Sequence, residues 1–300
     1  MLKKITYYLY FIFGLIKIVF ADNALILQTD FGLKDGAVAE MKGVAFSVDN
    51  QLKIYDLTHE IPTYNIWEAS YRLYQTASYW PSGTVFVSVV DPGVGGSRKS
   101  VVLKTKTGQY FVSPDNGTLT LVAQKFGIDS IRQIDEKYNR LKNSTGSYTF
   151  FGRDVYAYTG AKIASGKINF FQVGPLLPLQ KVVEIPYQRA EFINGKLEGN
   201  IPILDVQFGN IWSNISESLV ARANIKKGDI LCVEVRKGQE VRYRGRIPYV
   251  NTFSGVEPDE PLVYLNSLMN ISLALNMKSF SNKYKIYSGP DWAISLEKCN

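Results

Sequence analysis

The apolar positions of this chain fall into two patterns. In the first half, short fully apolar runs alternate with stretches of helical spacing. "ALILQTDFG" (24–32) is an apolar run closed by an aspartate and a glycine, which predicts a buried strand with a loop at its carboxyl end. "DGAVAEMKGVAFSV" (35–48) follows with helical spacing. "LKIYDLTHEIP" repeats the strand-then-loop form, and "NIWEASYRLYQTASYW" is an amphipathic helix that stops at Pro81. "GTVFVSVVDPGVGG" is a further apolar strand ending in Asp and glycines, and "SVVLKTKTGQYFVSPDNGTL" reads as a hairpin followed by a polar loop. This alternation predicts an α/β domain with a central, mostly parallel sheet of at least three parallel strands.

From about Gln188 the texture changes. Helical periodicity fades, and short alternating runs appear between turn residues: "GNIPILDVQFGNIWSNI", "DILCVEVRKGQEVRYRGRIPYV" and "PLVYLNSLMNISLALN". They predict a smaller all-β, barrel-like domain. The expected organisation is therefore an N-terminal α/β domain over 22–187 and a β domain over 188–300. Residues 1–21 stand apart. Lys3 and Lys4 precede an apolar stretch, interrupted by Lys17, that closes on Val19-Phe20-Ala21. This fits a signal peptide cleaved before Asp22 and a mature chain that is periplasmic or secreted. An uncleaved membrane anchor is the other reading, disfavoured because the uninterrupted apolar run is short for a bilayer.

Charge and composition then exclude several classes. The net charge is +7, and removal of Lys3, Lys4 and Lys17 takes away three positive charges and no acid, leaving +4. With no basic stripe, nothing predicts a nucleic-acid partner. Two cysteines, Cys232 and Cys299, and one histidine, His59, argue against a structural zinc site. An oxidising compartment permits a Cys232–Cys299 disulfide; two separate thiols are the alternative.

The candidate chemistry lies at strand ends. Asp30, Asp56 and Asp91 each follow an apolar run, and ligands of α/β sheets bind at the carboxyl ends of strands. A helix cap or turn is the commoner role for any one such aspartate. The glycines beside Asp30 and Asp91 go further, because they let backbone approach a ligand. "DPGVGGSR" lacks the Lys-Ser/Thr ending of a P-loop. In the second half, "DVQFGNIWSNI" carries Phe208 and Trp212, which suit stacking on a flat base, with Asp205 and Asn210 for polar edges; a strand with a glycine bulge is the plainer reading.

"TDFG", "DLTHEIP", "VVDPGVGGSR", "SPDNG", "FFGRDVYAYTGAKIASG", "DVQFGNIWSN" and "YLNSLMNISLALN", in this order, resemble the S-adenosyl-L-methionine (SAM) hydroxide adenosyltransferases, relatives of the fluorinases and chlorinases. The resemblance runs from about Leu25 to the C-terminus. It implies hydrolysis of SAM to adenosine and L-methionine, with SAM as substrate, no cofactor and no metal, in a homotrimer that binds SAM between the N-domain of one subunit and the C-domain of the next. It implies that Asp30 accepts the ribose hydroxyls and that Tyr64 lies beside the sugar and methionine. Asp205 would pair with the methionine ammonium and Ser267 would donate to its carboxylate. Phe208, Asn210, Phe253, Asn276 and Met277 fall at adenine-pocket positions. Asp91 and Arg98 match two of three residues that handle the attacking water. The third is a histidine in the family's usual Phe-His-Gly-Arg-Asp, and here Phe151 stands in its place, in "TFFGRD", which reads as a strand end. His59 belongs to a different motif. The halogenating relatives replace the aspartate at the Asp91 position, which argues against halogenation here. Slow hydrolysis is the leading expectation. An exported adenosine- or SAM-binding protein without catalysis is the second, and an extracellular interaction trimer that has lost its ligand the third.

Overall fold

The computed structural model describes residues 24–299; the signal peptide expected over 1–21 lies outside the described residues. The first strand, β1 (Leu25–Thr29), is apolar at three of its five positions and buried along its whole length, as a central strand of a two-sided sheet must be. It is followed by α1 (Ala37–Val48), β2 (Ile54–Thr58), α2 (Ile66–Ala77) and β3 (Val85–Val89). A hairpin of β4 (Ser100–Thr105) and β5 (Tyr110–Pro114) comes next, then α3 (Thr120–Phe126) and β6 (Ile128–Gln133). The six strands form one sheet in the order β2-β1-β3-β5-β4-β6. β2, β1, β3 and β5 run parallel, whereas β4 is antiparallel to both its neighbours.

Side-chain alternation along β1 feeds two cores. Leu25 and Leu27 join Met41 and Ala45 of α1 on one face; Ile26 joins Leu73 and Ala77 of α2 on the other. The short α4 (Glu136–Asn139) precedes a π-helical segment, Gly152–Ala157, that runs into α5 (Tyr158–Ala164) on the α1 side. Gly160 permits this contact, since a Cβ there would lie 2.4 Å from Val87 Cγ2. "TFFGRD" is thus not the strand end expected: Phe151 caps the opening turn of a helix. Arg153 clamps Asp154 with two hydrogen bonds (2.7 and 3.2 Å) and Glu40 of α1 with a third (2.6 Å), which ties this turn to α1.

The second half contains β7 (Glu191–Ile193), β8 (Lys196–Ile201), β9 (Ile203–Asp205), β10 (Asn210–Ser216), α6 (Glu217–Arg222), β11 (Ile230–Lys237), β12 (Glu240–Pro248), β13 (Pro261–Leu265), β14 (Asn270–Leu275), α7 (Phe280–Tyr284) and β15 (Gly289–Lys298). They form two antiparallel sheets, β13-β14-β10-β9 and β12-β11-β15-β8-β7. Both sheets contribute to one core that includes Leu197, Ile211, Val233, Leu273 and Ile294. The all-β, barrel-like domain expected from the short alternating runs is all-β, but no closed barrel forms among the described residues, because the two ladders remain separate. Alternation predicts one buried face per strand and carries no information about closure. Cys232 and Cys299 form a disulfide that fastens the chain end beyond β15 to β11, with their Cα atoms 5.1 Å apart. The two halves touch through α2. Trp67 Nε1 donates to the Pro202 carbonyl (2.8 Å), and Arg72 donates to Leu204 (3.3 Å), just before Asp205.

Candidate active site

The four parallel strands end at the same edge of the sheet, so that edge collects Asp30 after β1, His59 after β2, Asp91 after β3 and Asp115 after β5. The chain leaves β1 for β2 on one side and returns to β3 on the other. The crevice between the ends of β1 and β3 is therefore the topological switch point, where open α/β sheets bind ligands. Asp30 and Asp91 flank it.

Asp30 Oδ2 accepts the backbone N–H of Tyr64 (2.8 Å). Tyr64 takes a left-handed backbone (φ 67°) and is 65% exposed. The next residue, Asn65, caps α2 by accepting from Glu68 N (2.9 Å). The helix start thus sets the Tyr64 loop against Asp30. Asp91 Oδ1 accepts the Gly93 N–H (3.0 Å) and is ion-paired with Arg98. The carboxylate and guanidinium expected to handle water are thus in direct contact.

His59 is spoken for. It is only 3% exposed; Nδ1 lies 2.8 Å from Thr29 Oγ1 and Nε2 lies 3.0 Å from Asp56 Oδ1. Thr29 Oγ1 also accepts the Phe31 N–H (3.2 Å). Its hydroxyl proton is then best directed at Nδ1, with Nε2–H donating to Asp56. Burial raises the Asp56 carboxyl, but hydrogen bonds from Lys42 and His59 outweigh it and hold Asp56 below its ordinary value of 3.8. This imidazole braces β1 against β2 and does not stand in for the one replaced by Phe151.

Phe151 is buried among Tyr148, Tyr156 and the Arg140 guanidinium, which lies over its ring at 5.0 Å. The Tyr156 hydroxyl accepts from Ser100 Oγ (3.0 Å), and burial, first, pushes that phenol well above its ordinary value. Sequence reasoning passed over Tyr156, since a tyrosine in a helical apolar stretch looks like core.

The second group of expected residues lies in the β half. Asp205, Phe208, Asn210, Phe253, Ser267 and Met277 line one cavity of about 950 Å³. Asn210 Nδ2 donates to Asp205 Oδ2 (3.2 Å), and the turn between them is closed by Gly209 N on the Asp205 carbonyl (2.7 Å). Gly209 has φ +71°, and a Cβ there would meet Ser279 Oγ at 1.9 Å, so the glycine is required. Asn266 accepts from Leu268 N and Asn270 N, which shapes the turn that presents Ser267. Asn276 does not line the cavity; its side chain donates to the Val256 carbonyl (2.8 Å). Trp212, Tyr264 and Lys278 do line it. Burial pushes the Tyr264 phenol up to about 12. The alternation of "PLVYL" places Tyr264 on an inward strand position but gives no sign that this position faces a cavity. Residues of the β half alone line the cavity; Asp30, Tyr64, Asp91 and Arg98 do not reach it.

Comparison with known proteins decides what this arrangement belongs to. Residues 25–174 match the SAM hydroxide adenosyltransferase N-terminal domain, and residues 199–293 match the C-terminal domain. The chain belongs to the SAM hydroxide adenosyltransferase family.

Among similar members of this family, an (R)-S-adenosyl-L-methionine hydrolase of Methanocaldococcus jannaschii is 39% identical over 218 residues, 71% of this chain and 74% of the relative. One of Thermus thermophilus is 30% identical over 261 residues, 84% of this chain and 91% of the relative. A fluorinase of Actinopolyspora mzabensis is 26% identical over 289 residues, 88% and 94% of the two chains. A crystal structure of a conserved protein from Thermotoga maritima superposes with a TM-score of 0.83 at 34% identity, covering 91% of this chain and 100% of that one.

Proposed function

We propose that this SAM hydroxide adenosyltransferase hydrolyses SAM to adenosine and L-methionine. The observation that carries the reading is the Asp91–Arg98 pair beside the switch point, an acceptor for a water proton held by a cation. Water oxygen bonds to C5′ of the ribose as the C5′–S bond breaks. The electron pair goes to sulfur, which leaves as the neutral thioether of methionine, and the water proton passes to Asp91. A sulfonium needs no general acid, so the protein's task is to orient one water opposite sulfur. Asp30 takes the ribose hydroxyls and Tyr64 covers the sugar. Asp205 and Ser267 hold the methionine ammonium and carboxylate, while Phe208, Asn210, Phe253 and Met277 enclose adenine. Asn276 supports that wall through Val256. Loss of one acid–base group costs ~10²–10⁴ in rate, so Phe151 makes this a slow hydrolase.

The apolar wall of the β-half cavity supports a trimeric assembly. Phe208 and Met277 are 66% and 82% exposed, and Asp30 and Asp91 lie outside the cavity. A second copy that brings its N-terminal edge to this cavity covers those side chains and completes the site. The Cys232–Cys299 disulfide supports export, with residues 1–21 as signal. The gap between the two family matches, from 174 to 199, supports a domain boundary near residue 187.

The Phe151 cage favours one other reading, an exported nucleoside-binding protein. Incubation of purified protein with SAM, followed by chromatography, separates the two. The hydrolase releases adenosine and methionine in equal amounts above the no-enzyme rate; a binding protein retains SAM unchanged.

A further inference from the structure

Asp91 sits at the start of a loop that has little means of ordering itself. Between Val90 and Lys99 lie Gly93, Gly95 and Gly96, and few hydrogen bonds stay within the loop: Gly93 N to Asp91, Gly96 N to the Gly93 carbonyl (3.2 Å), and the Arg98 pair. Glycine-rich backbone loses much entropy on ordering. A water-directing carboxylate tolerates little drift, since ~1 Å of misplacement costs ~10²-fold. The order has to come from the loop's ends.

Both ends are held by two adjacent residues of "SPDNG". Asn116 Nδ2 donates to the carbonyl of Val90 (2.8 Å), the residue before Asp91. The backbone N–H of Asp115 donates to the carbonyl of Lys99 (2.9 Å), the residue after Arg98. The Asn116 amide is itself fixed, because its Oδ1 accepts from Thr118 N (3.1 Å) and Thr118 Oγ1 (2.7 Å). The Asp115 carboxylate accepts from Val183 N (3.0 Å), and Thr120 Oγ1 accepts from Ile185 N (2.9 Å), so the same turn holds the segment that leads to the β half.

We infer that the Asp115–Asn116 turn sets the position of the Asp91 carboxylate, with Asn116 as the positioning residue through the Val90 carbonyl. This rests on the hydrolase reading for its kinetic consequence and on geometry for its structural one. Without the Asn116 donor the Val90 carbonyl is unpaired at a buried strand end. The Val90–Asp91 peptide plane then turns to find a partner, and Asp91 turns with it. Ligand contacts assigned to Asp30, Asp205 and Phe208 stay as they are.

The test is Asn116→Asp, which keeps the acceptor for Thr118 and replaces the donor with an oxygen that repels the carbonyl. Two readouts are expected. kcat falls by ~10-fold or more with KM within about twofold, since substrate binding is untouched. The Gly93 amide, which reports the Asp91 acceptor directly, exchanges with solvent ~10-fold faster than in wild type. In an Asp91→Asn background the further change should cost no more than about twofold in kcat, because the residue being positioned has already lost its role. Equal losses in both backgrounds, a change confined to KM, or an unchanged Gly93 exchange rate would overturn the inference. If wild type forms no adenosine, the hydrolase reading fails and the exchange rate alone decides this one. Should Asn116→Asp not fold, Asn116→Ser carries the same expectations: its hydroxyl still closes the turn onto Thr118 but is too short to reach Val90.

Discussion

The two halves of the candidate site are built from opposite materials. The edge of the α/β sheet presents carboxylates and a guanidinium on short loops after buried strands, with Asp30 and Asp91 each tied to a backbone N–H. The β half presents rings and a thioether around a cavity, with one carboxylate, Asp205, bonded to Asn210. The first can move a proton; the second can hold a flat, partly apolar ligand. The lost imidazole belongs to the first half, and the residues expected to grip the ligand remain in both. Catalysis and recognition are therefore expected to separate on mutation.

The largest expected effect is on the chemical half. Asp91→Asn should lower kcat by ~10²–10⁴ while adenosine affinity, measured by calorimetry, stays within about twofold. A parallel loss of affinity would merge the two halves into one. Next comes the shared ligand. Asp30→Asn removes a charged acceptor, and hydrogen bonds to charged groups contribute ~1.5–3 kcal/mol. Adenosine should bind more weakly by a factor of ~10–100, and 2′-deoxyadenosine should lose much less between wild type and variant. Equal losses for both nucleosides would remove Asp30 from the ribose.

Phe151→His works in the other direction. The ring sits under Arg140, whose positive charge favours a neutral imidazole, the form that accepts a proton. A gain of ~10-fold in rate is expected, cancelled by Asp91→Asn. A rate left at background with adenosine affinity intact would show that the water site has been lost more widely than at one residue. The smallest effect is on stability against pH. The Asp56 carboxyl is held below 3.8 in the folded chain, so its contribution is present above that pH and lost as pH falls through the lowered value. Asp56→Asn should therefore lower Tm slightly at neutral pH, and the gap should close in acid. A gap that persisted at low pH would place the effect in packing around His59.

Much of this organisation was legible in the sequence, for stated physical reasons. "ALILQT" and "TVFVSV" are short, mostly apolar runs rich in β-branched residues and closed by turn residues, which read as buried strands, and the aspartates that follow them marked the edge that holds the candidate site. The change to period-two alternation near residue 188 announced the β half. Closure of that half was not legible, since alternation describes faces and not edges. "TFFGRD" misled because paired aromatics before a glycine resemble a strand, whereas Asp154 N donates to the Phe150 carbonyl (3.0 Å) to open a helix, and the Arg153 side chain that ties this turn to α1 reaches Glu40, 113 residues away. Asp115 and Asn116 were visible only as part of a polar loop and of the motif "SPDNG". Their hold on Val90 and Lys99 depends on β5 lying between β3 and β4, which no local pattern encodes.

The measurement that tests the central claim most directly is the origin of the product's oxygen. Purified protein is incubated with SAM in water enriched in oxygen-18, and adenosine is analysed by mass spectrometry. The account predicts heavy oxygen in the 5′-hydroxyl of every adenosine formed, in step with methionine release, and formation of that labelled product ~10²–10⁴ slower in Asp91→Asn. Adenosine without the label, or no adenosine above the spontaneous rate while SAM stays bound, would contradict it.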